Sequence, residues 1–181
     1  MILEILRKIK MCGIAGFQKF KKANFDCEKK LREITKTLNH RGPDYCGFWK
    51  SNNGNTFLGH TRLSIVDLST NGSQPMVSTN GRYVIVFNGE IYNYKLIKKD
   101  LKKKFKVKFN NETDTSVLLE SISFLGLSKT LELIEGMFAF ALFDKKDESI
   151  TLVRDRYGEK PLFYYFDENN FVFSSELKAI K

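Results

Sequence analysis

The sequence predicts an α+β sandwich with antiparallel sheets inside and helices outside. Helical spacing is concentrated in the middle of the chain, whereas the last third alternates apolar runs with short polar links, as antiparallel hairpins do. The apolar runs of these hairpins are nearly continuous, so we expect their strands to be covered on both faces. No repeat or linker divides the 181 residues, which suit one domain.

Local patterns predict the elements in chain order. Strands are expected at 13–20, 45–50, 56–60, 83–87, 137–143, 149–153, 162–166 and 171–173. Helices are expected at 26–38, 94–101 and 114–124. Either Thr113 or Asp114 could cap the third helix. Asn88-Gly89, after the strand at 83–87, would ordinarily mark a turn.

The formal net charge of +9 comes mainly from lysine, with basic runs at 19–22 and 95–108. Such runs could form a surface for nucleic acid. However, the stretch 99–104 contains no arginine and no interleaved aromatic residue, so it is more typical of a solvated helix face. We therefore expect no nucleic-acid partner.

The cysteine count and the lengths of the apolar runs bear on the compartment. Cys12, Cys27 and Cys46 are odd in number and lack the spacing of metal ligands, which favours a reducing compartment. No apolar run approaches the roughly 20 residues of a membrane span. The sequence therefore predicts a cytoplasmic protein without a membrane partner and without a metal site.

The segment 11–16, MCGIAG, carries the strongest chemical signal. Removal of Met11 would leave Cys12 with a nucleophilic thiol and a free α-amine, a base with a pKa of roughly 7.7–8.0. Residues 1–11 would then be a leader or a mis-assigned start. If they are instead retained, as an amphipathic helical turn for example, the amine is acylated and the base is lost. The alternative for Cys12 is a buried, inert residue at the start of a strand.

Three further clusters suggest a ligand with an amino-acid head and an acyl side chain. Arg62 offers a planar fork for a carboxylate, or is a surface arginine at a strand end. Asn88 and Gly89 could supply an amide and a backbone N–H to an oxyanion hole, if they do not simply form a turn. Glu90 and Asp114 could hold an ammonium group, although Asp114 could equally cap a helix. Glutamine fits this description.

Sequence motifs run from Met11 to the end of the chain. They are MCGIAGF at 11–17, HRGPD at 40–44, HTRLSIVDL at 60–68, GSQPM at 72–76, FNGEIYN at 87–93, TDT at 113–115, GMFAFALFD at 136–144, RDRYGEKPLFYY at 154–165 and FSSELKAI at 173–180. In these motifs the chain resembles the N-terminal glutaminase domain of glutamine-hydrolysing asparagine synthetases, which are class II amidotransferases. HRGPD and RDRYGEKPL favour this branch over glucosamine-6-phosphate synthase and phosphoribosylpyrophosphate amidotransferase.

The resemblance implies a four-layer αββα sandwich of the N-terminal-nucleophile hydrolase type. It implies Cys12 as the nucleophile, the freed amine of Cys12 as the general base, and Asn88 and Gly89 as the oxyanion hole. HRGPD and RDRYGEKPL suit fixed loops and buried ion pairs, and we expect no catalytic role for them.

The resemblance also implies a glutamine pocket. Arg62 would hold the α-carboxylate, and Glu90 and Asp114 would hold the α-amine. The backbone lining the pocket would come from Leu63, Ser64, Ile65 and Val66.

The chain departs from the family at both ends. Ten residues precede Met11, and the sequence stops at Lys181, where relatives continue into an ATP-dependent synthetase domain. We expect a glutaminase domain at 12–181 that releases ammonia but makes no asparagine by itself, as a fragment or half of a split enzyme. Its partners would be L-glutamine and a synthetase domain or subunit, and a homodimer is compatible with the sequence. This chain should need no cofactor, since ATP and magnesium belong to the missing domain.

Three alternatives remain open. The glutaminase could deliver ammonia to a different acceptor through a related synthetase. The domain could be catalytically silent and keep the fold to bind a partner. The chain could also be a basic nucleic-acid-binding module, in which case its binding would fall steeply with added salt.

Overall fold

The computed structural model describes residues 11–63, 72–109 and 111–181. The strands in these ranges are β1 (Gly13–Lys19), β2 (Tyr45–Lys50), β3 (Thr56–Arg62), β4 (Met76–Val77), β5 (Tyr83–Ile91), β6 (Gly136–Asp144), β7 (Ser149–Arg154), β8 (Phe163–Phe166) and β9 (Asn170–Ser174). The α-helices are α1 (Cys27–Lys36), α2 (Tyr94–Phe105), α3 (Asp114–Leu125) and α4 (Leu127–Leu133), and a 3₁₀ helix spans Leu177–Ala179. None of the helices in the described ranges is long and apolar enough to cross a membrane.

The strands form two antiparallel sheets. Sheet 1 has the order β2-β3-β1-β9-β8, and sheet 2 has the order β4-β5-β6-β7. β1 pairs with β3 so that Gly13 lies opposite Thr61, and β5 pairs with β6 over the full nine residues of each strand. This register brings the start of β1 beside the end of β3.

Three apolar interfaces hold four layers together. The two sheets bury side chains between them, including Ile14 and Leu58 of sheet 1 and Val86 of sheet 2. The opposite face of sheet 2 packs on α2 and α3, through residues such as Phe87. The outer face of sheet 1 packs on α1 through Leu31. The fold is therefore the αββα sandwich that the sequence and the resemblance predict.

Capping side chains explain where two of the helices begin. Asp26 accepts hydrogen bonds from the backbone N–H groups of Glu28 and Lys29, so α1 begins at Cys27. Thr113 accepts a bond from the N–H of Ser116 and caps α3. The alternative of Asp114 as the cap is therefore excluded, and its carboxylate serves other contacts.

The structure corrects the sequence analysis in several places. β5 does not end at 87 but continues through Asn88-Gly89 to Ile91, because pairing with β6 overrides the local turn preference. The sequence analysis did not predict α4, β4 or the 3₁₀ helix. The expectation that the late strands are covered on both faces is wrong for β8, all four residues of which are exposed, and for β7, in which Ser149, Thr151 and Arg154 are exposed. Both are edge strands, β8 of sheet 1 and β7 of sheet 2.

Candidate active site

Strand alternation points several of the predicted residues toward the space between the sheets. On β5, Val84 and Val86 belong to the inter-sheet core, and the two-residue period places Asn88 on that same face. On β3, the same period places His60 and Arg62 on the face that carries Leu58 of the inter-sheet core. The sheets are also joined here by a contact of 3.2 Å between His60 Nε2 and the carbonyl oxygen of Phe87.

Cys12 lies immediately before β1, and its thiol is surrounded by groups from several elements. Burial raises the pKa of the thiol, and the positive charges of Arg62 and Arg41 and the backbone N–H of Leu63 oppose this only in part. The charge of Asp114 raises the pKa further. The thiol is therefore protonated at neutral pH, and attack by its sulfur requires a nearby base.

Neither histidine is placed to act as that base. Burial lowers the pKa of His60 to about 4, and its Nε2 faces the carbonyl oxygen of Phe87. His40 is exposed, and its Nε2 lies 2.9 Å from Oε1 of Glu176. The base that the resemblance implies, the freed α-amine of Cys12, stays a prediction.

Arg62 is half-buried at the end of β3, where two glycines approach it closely. A Cβ atom on Gly72 would lie 2.7 Å from Nη2 of the guanidinium, and one on Gly42 would lie 2.5 Å from the backbone carbon of Arg62. The backbone N–H of Asp44 also donates to the carbonyl oxygen of Arg62, at 3.1 Å. HRGPD and GSQPM thus pack around the arginine that the sequence assigns to a carboxylate.

Asn88 is only 1% exposed, and no acceptor in the described ranges takes a hydrogen bond from its Nδ2. A buried unpaired amide costs roughly 1–3 kcal/mol, so this donor is suited to an oxygen atom that arrives with a ligand. At Gly89, a Cβ atom would lie 2.2 Å from the carbonyl oxygen of Met137. Only glycine fits where the predicted second oxyanion donor stands.

The half-buried Asp114 interacts with the thiol, and the exposed Glu90 interacts with Asp114. Asp114 accepts hydrogen bonds from the N–H groups of Ile91, at 3.0 Å, and Thr115, at 2.7 Å. Burial nevertheless raises the pKa of Asp114, and the neighbouring charge of Glu90 contributes in the same direction. An ammonium group bound here would stabilise both carboxylates. Of the predicted backbone lining, Leu63 reaches the thiol, whereas Ser64, Ile65 and Val66 lie outside the described residues.

The sequence analysis missed one residue that holds Cys12. Arg41 of HRGPD is 9% exposed; its Nε donates to the carbonyl oxygen of Cys12 at 3.1 Å, and its Nη1 donates to Oε1 of Glu176 at 3.0 Å. Burial alone would raise the pKa of Glu176, but hydrogen bonds from Arg41, Lys178 and His40 outweigh it, so the pKa is lowered. The motif does form the expected buried ion pair. The arginine in that motif was the available signal, but its contact with Cys12 depends on the fold.

Comparisons with known proteins agree with this geometry. Residues 11–181 match the family described as the glutamine amidotransferase domain. The chain is 41% identical to a putative glutamine-hydrolysing asparagine synthetase from Methanocaldococcus jannaschii, covering 94% of this chain and 35% of the relative. It is 34% identical to asparagine synthetase B of Escherichia coli, covering 94% of this chain and 30% of that protein. The chain thus spans about a third of the length of these relatives.

A solved structure shares the fold. Glutamine phosphoribosylpyrophosphate amidotransferase from Bacillus subtilis superposes with a TM-score of 0.78 at 20% identity, covering 93% of this chain and 43% of that one. At this identity the likeness concerns the fold alone.

Proposed function

Because the chain belongs to the family of glutamine amidotransferase domains, we propose that it hydrolyses L-glutamine to glutamate and ammonia through a thioester on Cys12. One observation carries the proposal. The Arg62 guanidinium and the half-buried Asp114 carboxylate both lie within electrostatic reach of the Cys12 thiol. These groups match the side-chain amide, the α-carboxylate and the α-amine of glutamine.

In the proposed first step, the free α-amine of Cys12 takes the thiol proton, and sulfur attacks the carbonyl carbon of the side-chain amide. The amide π-electrons move to oxygen, and the oxyanion accepts hydrogen bonds from Nδ2 of Asn88 and the N–H of Gly89. The tetrahedral intermediate then collapses, the carbon–nitrogen bond breaks, and ammonia leaves with the proton held by the amine.

In the second step, the same amine removes a proton from water, which attacks the γ-glutamyl thioester. The carbon–sulfur bond breaks, the amine passes its proton to the departing sulfur of Cys12, and glutamate is released. The mechanism requires that residues 1–11 are absent from the active enzyme, because a peptide bond to Met11 would remove the base. We therefore assign residues 12–181 to the active domain.

The names of the relatives suggest which partner receives the ammonia. Both are described as asparagine synthetases, and we propose that this domain supplies ammonia to a synthetase domain or subunit that makes asparagine from aspartate. ATP and magnesium would act in that partner, and the glutaminase half-reaction would proceed in the cytoplasm without a cofactor. Delivery to another acceptor would leave the chemistry of Cys12 unchanged.

The direct test replaces Cys12 with alanine in a chain whose first residue, confirmed by intact mass, is residue 12. We expect glutamate formation to fall to background, while calorimetry still detects glutamine binding. Cys46→Ser is the matched control and should keep wild-type turnover, since Cys46 bonds to Asn39 rather than to the site. Normal turnover by Cys12→Ala would refute the assignment. No reaction of wild-type Cys12 with a glutamine-like electrophile would favour the silent, partner-binding domain.

A further inference from the structure

Hydrogen bonds hold both backbone groups of Lys160, which lies in RDRYGEKPL. Its N–H donates to Oδ2 of Asp155 at 3.0 Å, and its carbonyl oxygen accepts from Nε of Arg154 at 2.7 Å. Asp155 also accepts a bond from the N–H of Phe138, at 3.2 Å, which ties the loop to β6. The loop therefore holds the Lys160 side chain in a defined direction.

That direction leads to the N-terminus of the predicted enzyme. Lys160 is 7% exposed, and among the described residues the acceptor for its Nζ is the thioether sulfur of Met11, 3.0 Å away, rather than a carboxylate. A thioether is a weak acceptor for an ammonium group. Met11 is joined directly to the nitrogen of Cys12, and the charges of Lys160 and the Cys12 thiol interact.

The other charged groups around this position come from several elements. Burial lowers the pKa of Lys160, Arg41 lowers it further, and Glu159 and Asp155 oppose the shift. Arg62 and Asp114 face the thiol from β3 and α3. The nearby carboxylates have other donors: Asp155 binds four backbone N–H groups, Glu176 binds Arg41, and Asp114 binds two N–H groups.

We propose that Lys160 is a positioning residue whose charge keeps the freed α-amine of Cys12 in its neutral, proton-accepting form and favours the Cys12 thiolate. The inference rests on the proposed function. A like charge disfavours the ammonium form of the amine, and an opposite charge favours the thiolate. Both effects allow the proton transfer from sulfur to nitrogen to operate at lower pH.

The test compares kcat/KM for glutamine from pH 5.5 to 9 in chains that begin at Cys12. Lys160→Met removes the charge, Lys160→Arg keeps it, and Lys29→Met removes an exposed charge on α1. We expect the acidic limb of the pH profile of Lys160→Met to move up by about one pH unit. Its kcat/KM should then be about tenfold below the wild-type value at pH 6 and equal to it at pH 9. Lys160→Arg and Lys29→Met should keep the wild-type midpoint.

A second readout is independent of turnover. Peptide mass analysis can follow the rate at which iodoacetamide alkylates Cys12 in the absence of glutamine. The pH midpoint of this rate should be higher in Lys160→Met than in the wild type. If that variant does not fold, Lys160→Gln removes the same charge. A rate lowered equally at every pH, with both midpoints unchanged, would overturn the inference and leave Lys160 only a packing role. An inactive wild-type chain that begins at Cys12 would instead overturn the proposed function, and this inference with it.

Discussion

Asn88→Ala should lower glutaminase activity while changing the stability of the protein little. Its Nδ2 is buried and has no acceptor in the described ranges, so Asn88→Ala removes no hydrogen bond from that atom. The free energy of unfolding should therefore change by less than about 1 kcal/mol. If Nδ2 holds the oxyanion, its removal should lower kcat by about 10²–10³, or roughly 2.7–4 kcal/mol of transition-state stabilisation.

Asn93 is the matched control because both polar atoms of its amide form hydrogen bonds away from the site. Its Nδ2 donates to the carbonyl oxygen of Leu133 at 2.8 Å, and its Oδ1 accepts from the N–H of Glu135 at 3.1 Å. Asn93→Ala should cost about 1–3 kcal/mol of stability and leave kcat unchanged. Steady-state glutaminase assays and urea unfolding measure both quantities. A wild-type kcat in Asn88→Ala would refute the oxyanion assignment.

Two further predictions concern stability. Because burial lowers the pKa of His60 from 6.5 to about 4, the unfolded chain binds the proton first as the pH falls. The contribution of His60 to stability should be constant above neutral pH and fall by about 3 kcal/mol between pH 6.5 and 4. His60→Gln should flatten this loss in urea titrations, whereas His40→Gln should not, and equal slopes would contradict the account. Gly89→Ala should lower the melting temperature more than Gly54→Ala. At Gly54, with φ 66°, an added Cβ has open space and meets only backbone strain, whereas a Cβ at Gly89 would lie 2.2 Å from the carbonyl oxygen of Met137. Equal shifts would show that β5 relaxes freely.

Much of the fold follows from local sequence patterns. The strand at Tyr45–Lys50 and the starts of α2 and α3 match the prediction, since alternation and apolar spacing act over a few residues. The prediction fails where pairing with a strand distant in sequence determines the local conformation. Asn88-Gly89 favours a turn locally, but pairing with Ala139 and Phe138 keeps both residues in a strand.

The candidate site residues were named from their chemistry and from the resemblance, and their roles stay predictions. Cys12, Arg62 and Asp114 lie in different parts of the chain, and the structure brings Arg62 and Asp114 within electrostatic reach of the Cys12 thiol. The roles of Arg41 and Lys160 could not be foreseen, because each depends on contacts across 29 and 149 residues of sequence. Their motifs were visible, but only the assembled sheets and loops direct these side chains to the N-terminus of β1.

The central claim, that Cys12 acts with a free amine, is tested most directly by labelling the active protein with a glutamine-like diazoketone and determining intact and peptide masses. The account predicts one adduct per inactivated chain, on Cys12, in chains that begin at residue 12. An active preparation whose chains all retain Met11, or inactivation by an adduct on Cys27 or Cys46, would contradict it.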